Sequence, residues 1–420
     1  MSFDETRRWT RRRLLETTGG LLGASLWLPE TALAAAGEVK LPPMKASTEV
    51  ESPLPTPQEP DKRVGFAIVG LGRLSLEELL PAFGECKKAK LVALVSGDKD
   101  KARTVAAQYG VPEKNLYDYK NYDALKDNPE VQVVYIVLPN NMHAEYTVRA
   151  AKAGKHVLCE KPMANSVAEC QQMIDACRAA KKQLMVAYRL QYEPHHRTAI
   201  QLARGKKLGA LKLFSADNGQ NQAPDAQWRH KKAMAGGGAL PDVGIYCLSA
   251  ARYLSGEEPV EVWGSMYSTP GDARFKEVEE NFLFTLRFPS GLLAQCTTGY
   301  GHHDSRRLRL MGSEAWVDMD NAFAYQGLRM RISRKSPEDP KASDTVERSL
   351  PQPSQFAREM DHFAECVQNN RPPHTPGEEG LQDMRIIEAL YRAAREGKSQ
   401  KLEAVAKQDA FRGPAPSAEG

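Results

Sequence analysis

Val64-Gly65-Phe66-Ala67-Ile68-Val69 is an unbroken apolar run that ends directly in Gly70-Leu71-Gly72. Such a run, without polar alternation, reads as a strand buried on both faces, the kind found in parallel sheets. A helical pattern through Leu76, Leu79, Leu80 and Phe83 follows. Strand, glycine turn and helix in that order read as the phosphate-binding turn of a dinucleotide fold. Gly70 permits the tight turn, and Gly72 lets the backbone approach a pyrophosphate where Arg73 and Leu74 enter the helix. Ser75 replaces the usual third glycine and is small enough for close packing.

The next stretches keep the alternation. Lys90 to Val95 reads as a strand ending in Ser96-Gly97-Asp98. An NAD site would place a carboxylate at that strand end for the ribose 2′-hydroxyl. Here Ser96 occupies it, with Lys101 and Arg103 beyond, a hydroxyl-plus-cation set that favours the 2′-phosphate of NADP. Asp98 could still reach a ribose and keeps NAD as the less favoured alternative. A helix over 99–109, a short strand near Leu116-Tyr117 and a helix near Tyr122 follow. The β-rich run 131–138 ends at Leu138, before Pro139-Asn140-Asn141-Met142-His143. That loop falls at the same sheet edge and makes Leu138, Asn140 and His143 cofactor-binding candidates. A crossover helix over 144–154 leads to the strand His156-Val157-Leu158, and a helix over 167–180 leads to a strand over 184–189. Repeated βαβ units predict an α/β fold, a doubly wound parallel sheet over 63–190.

Cys159-Glu160-Lys161-Pro162 sits at the end of one of these strands. Proline stops the strand and keeps Lys161 extended at the carboxyl edge, where open α/β sheets bind ligands. A lysine there can serve as a catalytic group. Taken alone, a surface lysine before a turn is the favoured reading.

The second half, 191–410, reads as a different domain. Segments 211–217, 260–267, 280–288, 292–298 and 308–310 read as strands, with a hairpin turn at Pro289-Ser290-Gly291. This predicts an α+β domain on a large, mainly antiparallel sheet, with helices on one face and the other face free to pair in a homo-oligomer, a dimer or tetramer. Gly236-Gly237-Gly238 opens a helix that carries Asp242 and Tyr246 on one face, with Gly244 between them leaving room for a flat ligand. Tyr246 can move a proton if a cation lowers its pKa from about 10. A buried tyrosine–aspartate hydrogen bond in a core helix is the plainer alternative.

Net charge is +4, too small to indicate a nucleic-acid partner or a membrane surface. The seven cysteines show no metal-ligand spacing and read as reduced thiols; no metal is expected. At the amino terminus, Arg11-Arg12-Arg13-Leu14-Leu15, an uncharged stretch and Ala32-Leu33-Ala34 read as an export signal over 1–34. The arginine pair resembles a twin-arginine signal, a route that exports folded proteins to the periplasm; an ordinary Sec signal is the alternative. Residues 35–62 read as a proline-rich, extended arm, either a disordered linker or an arm that lies along another subunit.

Gly70-Leu71-Gly72, Glu160-Lys161-Pro162 and Asp242-x-Gly244-x-Tyr246, in this order, resemble the Gfo/Idh/MocA oxidoreductases. The tyrosine, the export signal, Tyr117-Asp118-Tyr119 and Gln227-Trp228-Arg229 make the likeness greatest to the family's periplasmic glucose–fructose oxidoreductase branch. The resemblance implies a tightly bound NADP and small-molecule sugar substrates: an aldose such as glucose becomes a lactone, and a second sugar such as fructose becomes an alditol. It makes Lys161, Tyr246 and Asp242 catalytic. It puts the 2′-phosphate on Ser96 and Lys101, and Gly97, Tyr119, Glu160, Arg189, Trp228 and Arg229 along the cofactor. An ordinary sugar dehydrogenase, an aldose–aldose oxidoreductase and a non-catalytic sugar or nucleotide sensor remain alternatives.

Overall fold

The computed structural model describes residues 62–222, 227–339 and 341–416. The expected signal and almost all of the arm lie outside the described residues. The first half forms a parallel sheet from β1 (Val64–Val69), β2 (Ala89–Val95), β3 (Leu116–Tyr117), β4 (Val133–Ile136), β5 (His156–Glu160) and β6 (Leu184–Ala187). Their spatial order is β3-β2-β1-β4-β5-β6, the Rossmann arrangement. All six residues of β1 are buried, because helices cover both faces of a parallel sheet. The order reverses between β1 and β4, which opens a crevice beyond their carboxyl ends.

Local chemistry sets the helix ends. Asp98 caps the helix Lys99–Tyr109 by accepting the Lys101 N–H, and Gly110 at φ +68° closes it. Ser166 caps Val167–Ala179, while the Glu169 carboxylate accepts the Asn165 N–H. The segment after the glycine turn is a wide helical turn, Ser75–Leu79, continued as Leu80–Ala82. Ser75 does more than replace a glycine: its buried hydroxyl donates to the Gly70 carbonyl at 2.6 Å and ties the turn shut.

The second half builds a nine-stranded sheet from β7 (Leu211–Asn221), β8 (Glu261–Tyr267), β9 (Asn281–Arg287), β10 (Leu293–Gly299), β11 (Gly301–Gly312), β12 (Ala315–Asp320), β13 (Arg329–Lys335), β14 (Ser343–Arg348) and β15 (Gln400–Lys401). The order is β14-β13-β12-β11-β7-β10-β9-β8-β15. Every pairing is antiparallel except β7 with β10. The expected hairpin joins β9 and β10. β12 to β15 were not foreseen, and β11 runs far beyond the expected 308–310. Its outer residues are polar and half exposed, so no apolar run marks them.

Phe282, Phe284 and Leu286 of β9 and Ala294 and Cys296 of β10 point into a core shared with Leu248, Leu381, Ile387 and Leu390. These last four lie on the helices Ile245–Ser255 and Gly377–Glu396. All seven cysteines are buried and unpaired. Among the described residues no helix is long and apolar enough to cross a membrane, and no cluster could hold a metal ion.

A buried ionic knot locks these two helices. Arg252 is fully buried and bonds Glu258 through Nε at 2.7 Å, Glu379 through Nη2 at 3.0 Å, and Asp383. Arg412 adds a second cation on Glu379 at 2.8 Å. Removing one partner of a buried ionic group strands the others in low dielectric. Arg252→Met is therefore expected to cost about 3–5 kcal/mol, read as a lowered denaturant midpoint. A loss below about 1 kcal/mol would show that the acids are not held by Arg252.

Candidate active site

The carboxyl end of β5 delivers Glu160 and Lys161, and the Lys161–Pro162 peptide is cis. The Lys161 ammonium reaches across to the second half. It donates to the Asp242 main-chain carbonyl at 2.7 Å and to the Asp242 carboxylate Oδ1 at 3.1 Å. It also lies 4.8 Å from the centre of the Tyr246 ring. The Arg189 guanidinium lies 4.9 Å from the same ring. Asp242 stands in a wide helical turn, Leu240–Gly244, that runs into the helix carrying Tyr246. The three predicted catalytic side chains thus meet at one point, although Lys161 and Tyr246 are far apart in the chain.

Asp242 Oδ2 accepts from Arg229 Nε at 3.0 Å and from the Tyr300 hydroxyl at 2.6 Å. Burial acts to raise the Asp242 carboxyl, but Lys161 and Arg229 outweigh it and hold the group well below the usual carboxylate range. Burial likewise pulls Lys161 down, and Tyr246, Asp242 and Glu160 more than offset it, leaving the ammonium above the ordinary lysine value. Lys161 is therefore a proton-holding donor at neutral pH. Glu160 accepts from the buried Tyr135 hydroxyl at 2.7 Å, and burial raises its carboxyl above the ordinary value.

Other predicted residues divide into those near this centre and those elsewhere. Arg229 stacks on Trp228 at 4.4 Å and joins the centre through Asp242. Arg189 lies on the Tyr246 side, its guanidinium donating to the Phe323 carbonyl at 2.8 Å and the Ala324 carbonyl at 3.2 Å. Asn140 donates to the Ala235 carbonyl at 2.9 Å and ties the loop after β4 to the Gly236 turn. Ser96 and Gly97 directly follow β2, with the Tyr119 ring packed beside Gly97. Lys101 is exposed on the following helix, and Leu74 packs half-buried beside the glycine turn. Arg73 projects into solvent and pairs with Glu77 at 2.7 Å.

Two expectations need correction. His143 is fully buried, with Nδ1 2.9 Å from the Pro162 carbonyl and Nε2 2.8 Å from the Leu138 carbonyl. Both ring nitrogens are engaged inside the protein, so His143 braces two loops and is not a nucleotide contact. Gly244 does not make room for a flat ligand. A Cβ there would meet Thr298 Cγ2 at 2.9 Å, so the glycine lets the Asp242 turn pack on β10.

Tyr300 is the main residue missed. It follows β10 with no motif around it, and only sheet register brings its hydroxyl to Asp242. Tyr135 and Tyr325 were missed for the same reason; the Tyr325 ring sits 4.5 Å from Arg189.

The glycine turn fits a dinucleotide. Gly70 adopts φ +98°, and a Cβ there would strike the Val137 carbonyl oxygen at 2.3 Å. Gly72 faces open space: a Cβ there would have no neighbour within 4 Å. Asp98, the residue that kept NAD open, turns its carboxylate to its own helix N-terminus.

Because Asp242 is held below its unfolded value near 4, its stabilising contribution is complete above that pH and is lost as pH falls through the lower folded value. The stability gap between the wild type and Asp242→Asn, measured by urea unfolding, should be constant from neutral pH to about 4 and narrow below it. A gap that widens on acidification contradicts the assignment.

Residues 64–188 match the model of an oxidoreductase family with an NAD-binding Rossmann fold, GFO/IDH/MocA, and residues 196–318 match the GFO/IDH/MocA C-terminal domain. Over 350 residues the chain is 31% identical to D-xylose 1-dehydrogenase (NADP(+)) of Haloarcula marismortui, covering 82% of this chain and 94% of that one. The aldose–aldose oxidoreductase of Caulobacter crescentus, solved with glycerol, is 45% identical with a TM-score of 0.77, covering 81% of this chain and 100% of that one. Levoglucosan dehydrogenase shares the fold at 20% identity and a TM-score of 0.71, covering 81% of this chain and 99% of that one. With this relationship running through both domains, the chain is a member of the GFO/IDH/MocA family of oxidoreductases.

Proposed function

We propose that the protein is an NADP-dependent sugar oxidoreductase that keeps its nucleotide between turnovers, oxidising an aldose at its anomeric carbon and reducing a second sugar. The observation that carries this reading is the meeting of Lys161, Asp242 and Tyr246 at the carboxyl end of β5. When bound, NADP accepts and returns the hydride. The glycine turn at Gly70 and Gly72 would hold its pyrophosphate, and Ser96 with Lys101 its 2′-phosphate.

Tyr246 takes the proton from the sugar hydroxyl in oxidation and returns it to the carbonyl oxygen of the second sugar in reduction. Lys161 and Arg189, against the Tyr246 ring, stabilise negative charge as it develops there. Lys161 gives two of its three N–H bonds to Asp242, which leaves the third for the sugar oxygen. Asp242, anchored by Arg229 and Tyr300, keeps Lys161 charged and aimed. The 45% identity to an aldose–aldose oxidoreductase favours an aldose as the second sugar, with fructose the other candidate.

Retention of the nucleotide and export belong together, because NADP is a cytoplasmic cofactor. Protein recovered from the periplasmic fraction and unfolded should release about one NADP per chain and, before unfolding, turn over two sugars without added nucleotide. Tyr246→Phe should keep the nucleotide and lose at least about 100-fold in turnover. Empty protein that needs added NADP points instead to an ordinary dehydrogenase, and full activity in Tyr246→Phe removes the acid/base assignment.

The uncovered face of the large sheet supports a homo-oligomer. Leu213 and Leu293 pair across β7 and β10 and are 46% and 49% exposed, with Trp263 nearby at 38%. A contiguous apolar patch on a sheet face is typical of subunit contacts. Leu213→Asp should lower the mass seen by light scattering toward that of one chain, and an unchanged mass puts the contact elsewhere.

A further inference from the structure

Three successive main-chain N–H groups at the start of the Asp242 turn all end on one residue, Glu279, which precedes β9. Its carboxylate accepts the Gly238 N–H at 2.9 Å through Oε2 and the Leu240 N–H at 2.9 Å through Oε1. Its main-chain carbonyl accepts the Ala239 N–H at 3.4 Å. The Tyr391 hydroxyl, from the helix Gly377–Glu396, adds a bond to Oε1 at 2.9 Å. Main-chain N–H groups can only donate, so the buried Glu279 carboxylate serves them as an acceptor. The first N–H groups of a helical turn have no partner within it, and Leu240–Gly244 has no side-chain cap of its own. Glu279 supplies that cap from a distant part of the chain and sets a negative charge where the unpaired N–H groups gather.

The glycine run is what lets Glu279 come so close. A Cβ on Gly238 would stand 2.0 Å from the Glu279 carbonyl oxygen, and one on Gly237 would stand 2.0 Å from the Tyr391 hydroxyl oxygen. The rest of the turn is held by side chains as well: the Thr298 hydroxyl donates to the Ala239 carbonyl at 3.3 Å, and the Asn218 amide donates to the Val243 carbonyl at 2.8 Å.

We propose that Glu279 is a positioning residue for the active centre, fixing the turn just before Asp242 and so setting where that carboxylate meets Lys161. The path is short: Glu279 to the Leu240 N–H, along the turn to Asp242, then across to the Lys161 ammonium. Glu279→Gln keeps the length and shape of the side chain but turns one oxygen into a donor, which then faces another donor. One main-chain N–H is stranded, and the turn shifts to relieve it. A small displacement of a catalytic group slows the chemical step far more than it weakens sugar binding. Glu279 acts through Asp242 and not on the sugar.

The inference rests on Asp242 serving the reaction as proposed above, so Asp242→Asn is measured beside the Glu279 variant. Glu279→Gln should lower kcat by about tenfold, with KM for the oxidised sugar changed less than about twofold. Tyr391→Phe removes one hydroxyl from the same carboxylate and keeps the ring, so it decides the matter even where Glu279→Gln folds poorly; it should lower kcat about threefold, again with KM little changed. In Asp242→Asn the contact with Lys161 is already weakened, so adding Glu279→Gln should slow that variant by less than about twofold. An unchanged kcat in Tyr391→Phe and in folded Glu279→Gln, or a raised KM with kcat intact, would overturn the proposal. A further tenfold fall in the double variant, as separate roles would give, would overturn it as well. Full turnover in Asp242→Asn removes the role of Asp242 and that of Glu279 with it; a slow Asp242→Asn beside unslowed Glu279→Gln and Tyr391→Phe removes the role of Glu279 alone.

Discussion

The buried contact between Lys161 and Asp242 is the constraint around which the two halves of this protein are arranged. One partner comes from the end of a parallel strand and the other from the turn that begins a helix over the antiparallel sheet. Two charges withdrawn from water cost more than their attraction returns unless further hydrogen bonds complete the set. Here they do: Asp242 also receives Arg229 and Tyr300, and Lys161 adds the Asp242 main-chain carbonyl. A displacement of either sheet would leave several buried polar groups unpaired at once. The same completeness keeps the lysine protonated and the aspartate ionised.

The helix that carries Tyr246 is held from its other end. Arg252, less than two turns further on, is tied to Glu258, Glu379 and Asp383 in a site closed to water. Asp383 also accepts the Tyr188 hydroxyl at 2.7 Å, and Tyr188 follows β6 just before the turn that carries Arg189 and Gln191. The ionic knot and Tyr246 are therefore linked along one path, through the helix they share. Preorganisation of this kind places donors before the substrate arrives, so little reorganisation is left for the reaction.

Much of the site was legible as sequence, and the reason differs from residue to residue. Gly70 and Gly72 were legible because a strand, a turn and a helix compress their requirement into adjacent positions. Lys161 was legible because the proline after it ends the strand. Asp242 and Tyr246 were legible as neighbours on a helix, though not as partners of Lys161. His143 was misread because a histidine on a loop at the cofactor edge looks the same in sequence whether its nitrogens face a ligand or two carbonyls. Gly244 was misread because its tight contact is with Thr298, a residue on another strand. Tyr300 carried no signal, since it matters only through what tertiary packing puts beside it.

The sequence by itself determined the alternation of strand and helix, the dinucleotide turn and the candidate set of Lys161, Asp242 and Tyr246, because each depends on spacing within a few residues along the chain. The tertiary structure decided what surrounds them: which oxygen of Asp242 meets which cation, that Tyr300 completes the carboxylate, and that Arg252 anchors the Tyr246 helix. Those outcomes depend on the register of a nine-stranded sheet and on the helix Gly377–Glu396, which contacts both that sheet and the six-stranded one. Register follows from side chains far apart in the chain finding a common face, information that no short stretch of residues contains.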